Sequence, residues 1–197
     1  MKRTLAILLF DEVEVLDFAG PFEVFAVTDE LSGHQLFRVV TVAPEQRAIR
    51  ARNGLSVNPD HSFADCPRPD ILIVPGGLGT RTLLNNPAVL NWIKSVNATA
   101  EIVASVCTGS IVLGRAGLLD GLQATTHHEC FALLREHAPR ATVVETARFL
   151  DNGRILTAAG ISAGIDMSLH LVTRLHGAEV AQKTARYMEY HPAMKVF

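Results

Sequence analysis

Short apolar runs rich in Val, Ile and Leu recur along the chain: Leu5–Phe10, Phe37–Val42, Ile71–Val74, Ile102–Val106 and Ile155–Ala158. Near-continuous apolar character suits strands covered on both faces, as in a parallel sheet, rather than strands with one wet face. Longer stretches of helical periodicity lie between these runs. Pro21–Thr28 predicts a helix with Pro in its first turn. Asn86–Asn97 places Val89, Leu90, Ile93 and Val96 at helical spacing behind Pro87. Ser110–Ala116, Glu129–His137, Ala163–Leu175 and Gly177–Tyr190 also read as helices. Arg50–Pro59 and Ala141–Leu150 are candidate hairpin or edge elements. Strands alternating with helices predict an α/β fold, a doubly wound and mostly parallel sheet with helices on both faces.

Composition narrows this picture. Of 197 residues, 48% are hydrophobic and 19% charged, so the chain can bury a sizeable core. With no repeat, low-complexity tract or Pro/Ser-rich linker, residues 1–197 are expected to form one domain. A net charge of −2 and scattered basic residues give no electrostatic case for nucleic acid. Met1-Lys2-Arg3-Thr4 precedes an apolar run that Asp11-Glu12 ends at once, which suits a first strand better than a signal peptide. No apolar stretch reaches the ~18 residues of a membrane span. Cys66, Cys107 and Cys130 are odd in number and widely spaced, which predicts reduced thiols and a cytoplasmic protein.

The candidate chemistry gathers where strands give way to helices. In Glu101–Gly114 an apolar strand ends at Val106, Cys107 follows, and small residues lead into an apolar helical face. This pattern predicts a nucleophile elbow at the carboxyl edge of the sheet, the edge where open α/β sheets bind ligands. A helix N-terminus favours thiolate over thiol, so the Cys107 pKa is expected below about 8.5. The Thr108 N–H would face an oxyanion formed beside the sulfur. Ile71–Gly79 is a strand ending in a Gly-rich turn, either a plain tight turn or a place where the Gly77 N–H supplies a second oxyanion donor. Asp17, between apolar neighbours and ahead of Gly20-Pro21, is either a helix-capping carboxylate or a partly buried proton donor. His127 is a candidate lining residue, whereas the adjacent His128 should point elsewhere, so the two make a poor bidentate pair. No HExxH or Cys-x-x-Cys is present, and neither a metal nor an organic cofactor is expected. Gly160–Asp166 is a further loop-to-helix junction, with Ser162 as the expected cap and Ile161 able to wall the pocket.

Five strings occur here in one order: Leu16-Asp17-Phe-Ala-Gly-Pro21, Pro75-Gly-Gly, Val-Cys107-Thr-Gly-Ser, Ala124-Thr-Thr-His127 and Gly160-Ile-Ser-Ala-Gly-Ile-Asp166. In this the chain resembles the DJ-1/PfpI superfamily, and within it the isonitrile hydratases and the domains that precede AraC-type regulators. The resemblance runs from the first strand to Tyr190. It implies a flavodoxin-like three-layer α/β/α sandwich, related to class I glutamine amidotransferases, and a homodimer. It also implies a Cys107 nucleophile in a strained turn, an Asp17 carboxyl hydrogen-bonded to it, oxyanion donors at Gly77 and Thr108, and Ile161 packed nearby. Thr108 stands where peptidase-like members carry His, and Asp17 where DJ-1-like members use Glu. A regulator's helix-turn-helix domain is not expected, because the sequence stops at Phe197. The implied activity is hydration of a small isonitrile to an N-substituted formamide through a covalent Cys107 thioimidate. The alternatives are a DJ-1-like oxidative-stress sensor and glyoxalase or deglycase action on reactive dicarbonyls.

Overall fold

A computed structural model describes residues 2–193. The chain runs β1 (Arg3–Leu8), α1 (Val15–Leu31), β2 (Phe37–Ala43), β3 (Ile49–Arg50), β4 (Ser56–Val57), β5 (His61–Ser62) and β6 (Ile71–Val74). It continues with α2 (Thr80–Leu83), α3 (Pro87–Asn97), β7 (Ile102–Val106), α4 (Gly109–Arg115), β8 (Gln123–Ala124) and α5 (Phe131–His137). It closes with β9 (Thr142–Val143), β10 (Phe149–Asp151), β11 (Ile155–Ala158), α6 (Ala163–His176) and α7 (Ala178–Tyr187).

The central sheet has the order β10-β11-β7-β6-β1-β2-β5. Every neighbouring pair is parallel except β10 with β11. All residues of β6 and β7 are buried, which explains their unbroken apolar sequence. One helical layer joins α1, α6 and α7, and the other joins α2, α3, α4 and α5. The fold is therefore a three-layer α/β/α sandwich with a mostly parallel sheet. No described helix is long and apolar enough to cross a membrane.

The predicted helix at Pro21–Thr28 begins six residues earlier, at Val15, and holds Pro21 in its interior. Pro lacks an N–H, so it leaves the carbonyl four residues back, that of Asp17, without its helical donor. Asn86 caps α3 as its sequence position suggests, its side chain accepting from the Ala88 and Val89 N–H groups at 3.0 and 3.3 Å. Arg50–Pro59 does contain an antiparallel hairpin, β3 with β4. The chain passes from β1 outward to β2 and then returns to β6 on the opposite flank of β1. That reversal opens a crevice beyond the carboxyl ends of β1 and β6. The ends of β7 and β11 lie on the same edge, since their register with β6 and with each other is parallel.

Candidate active site

Cys107 follows β7 directly and has φ 54, the left-handed region that a side chain adopts only when its surroundings impose it. The impositions are visible. Its N–H donates to the carbonyls of Ala158 and Ala159, at 3.1 and 3.0 Å. Its carbonyl accepts from the hydroxyls of Thr126 and Ser110, at 2.9 and 3.1 Å. The chain then turns at once into α4, pressed so close to β6 that a Cβ on Gly109 would stand 2.0 Å from the Val74 carbonyl oxygen. The sequence pattern of strand, Cys and small residues thus makes the elbow it predicts.

The backbone N–H groups of Thr108 and Ile161 lie near enough to the Cys107 sulfur to favour its thiolate form. Ile161 itself has φ 50, an outlier for a β-branched residue. The pocket-wall position expected of Ile161 concerns its side chain; its backbone N–H is the part that lies near the Cys107 sulfur. Despite these donors the thiol is not acidified. Burial, and then the Asp17 carboxylate, push the Cys107 thiol up to about 12, the reverse of the expected lowering. Two N–H donors and one short helix do not offset the loss of water around a residue only 6% exposed.

Asp17 is fully buried, and burial raises its carboxyl to about 7, with the charge of Glu14 acting in the same direction. The Gly76 N–H donates to Oδ2 at 2.9 Å. The Cys107 thiol is near enough to favour the carboxylate, while Oδ1 has no formed hydrogen bond among the described residues. Gly76 must be Gly here: a Cβ would stand 2.5 Å from the Thr108 nitrogen and 2.9 Å from Asp17 Oδ2. Asp17 lies in the first turn of α1, but burial and the thiol, rather than helix capping, define its surroundings.

The chain belongs to the DJ-1/PfpI family. The family's model matches residues 3–174. Isonitrile hydratase of Pseudomonas putida is 37% identical over 193 residues, 98% of this chain and 81% of the hydratase. The HTH-type transcriptional regulator GbdR of Pseudomonas aeruginosa is 32% identical over 95% of this chain, which spans about half, 51%, of that regulator. A THiJ/PfpI family protein from Pseudomonas syringae superposes with a TM-score of 0.87 at 29% identity, covering 99% of this chain and 78% of that one.

In this DJ-1/PfpI chain the remaining expected residues take more exact positions. The Thr108 hydroxyl turns away from the sulfur and clamps Gly77, accepting its N–H at 3.0 Å and donating to its carbonyl at 3.2 Å. The Gly77 N–H, expected as a second oxyanion donor, is thus engaged by the Thr108 hydroxyl in this structure. His127 is half-buried against Gly160, where a Cβ would stand 2.5 Å from its ring, and burial holds its imidazole below the usual range. Contrary to the expectation that neighbouring histidines diverge, the His127 and His128 rings lie 4.3 Å apart. With Glu129 they bring ligand atoms within 4.8 Å of one another, although His128 and Glu129 are exposed. Cys130 lies close enough to act on the Cys107 thiol and accepts a long contact from Arg81 at 3.7 Å. Cys66 sits apart in its loop, where burial raises its thiol to about 11.

Sequence reasoning missed Arg148 altogether. It forms an ion pair with the buried Asp166 and donates to the Ser162 hydroxyl at 3.1 Å. Ser162 consequently makes no side-chain cap for α6, as its sequence position had suggested. Arg148 precedes a short edge strand and carries no local motif, so only the fold brings it here.

Proposed function

We propose that this protein hydrates a small isonitrile to an N-substituted formamide, with Cys107 as nucleophile and Asp17 as the proton-transfer group. The observation that carries this is the pairing of a buried thiol with a buried carboxyl that titrates at about 7, beneath two N–H donors. A thiol held in its protonated form needs a neighbouring base at the moment of attack, and a carboxyl poised near neutrality is that base.

The Asp17 carboxylate takes the Cys107 proton as the sulfur bonds to the terminal isonitrile carbon. Asp17 returns that proton to the same carbon, giving a thioimidate. The carboxylate then draws a proton from water as the hydroxyl adds to the carbon, and passes it to the nitrogen. The C–S bond breaks with its electron pair going to sulfur, the hydroxyl proton follows, and the formamide leaves the regenerated thiol. The Thr108 and Ile161 N–H groups favour the sulfur whenever it carries negative charge. This scheme uses neither a metal nor an organic cofactor.

The likeness to the Pseudomonas putida hydratase supports this assignment. An oxidation sensor wants an exposed, readily ionised thiol, and the burial of Cys107 favours the hydratase over it. We further propose a single domain over residues 1–197 that acts as a homodimer in the cytoplasm on a small molecule, without nucleic acid. The test is formamide production from a simple isonitrile by the parent and by Cys107→Ala. Turnover by the parent and none by the variant is expected. No turnover by either redirects the site to dicarbonyls.

A further inference from the structure

Ile161 holds its N–H toward the Cys107 sulfur in a conformation that a β-branched residue does not choose. Something must hold the turn, and the bonds at both of its ends lead to one residue. Before the turn, the Ala159 N–H donates to the Arg148 carbonyl at 2.9 Å, and the Ala159 carbonyl in turn accepts the Cys107 N–H at 3.0 Å. Beyond it, the Arg148 guanidinium donates to the Ser162 hydroxyl at 3.1 Å. The same guanidinium is fixed by an ion pair with Asp166, which is fully buried on α6. The Tyr190 hydroxyl donates to the other Asp166 oxygen at 3.0 Å. A buried carboxylate is strongly disfavoured without partners, and here both oxygens are satisfied. Arg148 and Cys107 thus contact residues 159–162 directly, while Asp166 and Tyr190 hold Arg148 from behind.

We propose that Arg148 is a positioning residue for the nucleophile: anchored by Asp166 and Tyr190, it grips both ends of the 159–162 turn and so presents the Ile161 N–H to the Cys107 sulfur. This deepens the assignment of Cys107 as the reactive group and rests on it. It also explains why the Ser162 hydroxyl is given to Arg148 while the α6 N-terminus has no side-chain cap.

Ser162→Ala removes the grip without removing a cap. The readout is the rate of Cys107 alkylation by iodoacetamide at mildly alkaline pH, followed on the peptide that carries Cys107 so that Cys66 and Cys130 do not contribute. Alkylation needs no isonitrile, so its outcome is separate from that of the hydratase assay. Losing one donor to the thiolate should slow alkylation about tenfold. Tyr190→Phe, farther from the turn, should slow it less, and Ser162→Thr, which keeps the hydroxyl, should restore the parent rate. A merely structural contact would act in the opposite sense: loosening the elbow would expose a thiol now 6% exposed and speed alkylation. Faster or unchanged alkylation in both Ser162→Ala and Tyr190→Phe would overturn the proposal.

Discussion

At the scale of single residues, Asp17 shows the conflict between stability and chemistry. Its carboxyl titrates at about 7 in the folded chain against 3.8 for the ordinary group, chiefly because it is buried. The folded state therefore binds the proton more tightly than the unfolded state does. Asp17 contributes its stability below about pH 4, and that contribution is lost as pH rises through about 7. A span of about 3 pH units corresponds to about 4 kcal/mol at full loss. Asp17→Asn keeps an acceptor for the Gly76 N–H but never ionises. We expect it to unfold at clearly higher temperature than the parent above about pH 8 and at a similar temperature near pH 4. Its hydration rate should fall about 100-fold or more through loss of the base. Calorimetry at the two pH values checks the first part; equal stability at alkaline pH would mean that Asp17 is not held in the environment described.

At the scale of elements, the turn joining α1 to β2 is organised by one carboxylate. Asp29 Oδ1 accepts the N–H groups of Leu36 and Phe37, both at 2.9 Å, while Oδ2 accepts from Lys2 at 3.0 Å. Burial opposes ionisation of Asp29, but these donors outweigh it and hold the carboxyl below its usual range. Asp29→Ala strips the acceptor from two N–H groups at the start of β2. A loss of about 2–4 kcal/mol in urea unfolding is expected, with activity at saturating substrate preserved. The same element shows where sequence reading stops. The strands were legible because burial on both faces leaves an unbroken apolar signature, and Asn86 before Pro87 marked α3 through local chemistry. The start of α1 was not, because Pro21 normally signals a first turn, and only packing against α6 and α7 extends the helix in front of it. Cys107 could be picked out by its position at a strand end, and Asp17 by its place between apolar neighbours ahead of Gly20-Pro21. The Ile161 N–H and Arg148 could not: a backbone donor leaves no residue-type signal, and Arg148 lies 41 positions from the cysteine it serves.

At the scale of the whole molecule, the open sheet delivers its working parts to one edge. The helix after β1 supplies Asp17, and the turns after β6, β7 and β11 supply Gly76-Gly77, Cys107 and Ile161 respectively. Asp17 belongs to α1, so whatever steadies that helix steadies the site. Its outer surface includes exposed apolar side chains: Leu16 and Phe22 are 38% and 37% exposed. Phe22 also shares a surface cleft with Val39 and with Tyr187, itself 58% exposed. Exposed apolar groups such as Phe22 and Tyr187 gain by being covered, and a second copy of the chain would cover them symmetrically. On the homodimer proposed above, Phe22→Asp places a charge in the apolar contact and should drive the protein to monomer in sedimentation equilibrium at concentrations where the parent is dimeric. Hydration should weaken along with it, because α1 would lose the support that fixes Asp17 beside the thiol. A variant that stays dimeric would assign the interface to another face of the sandwich. A monomeric variant with full activity would show that the site is complete within one chain.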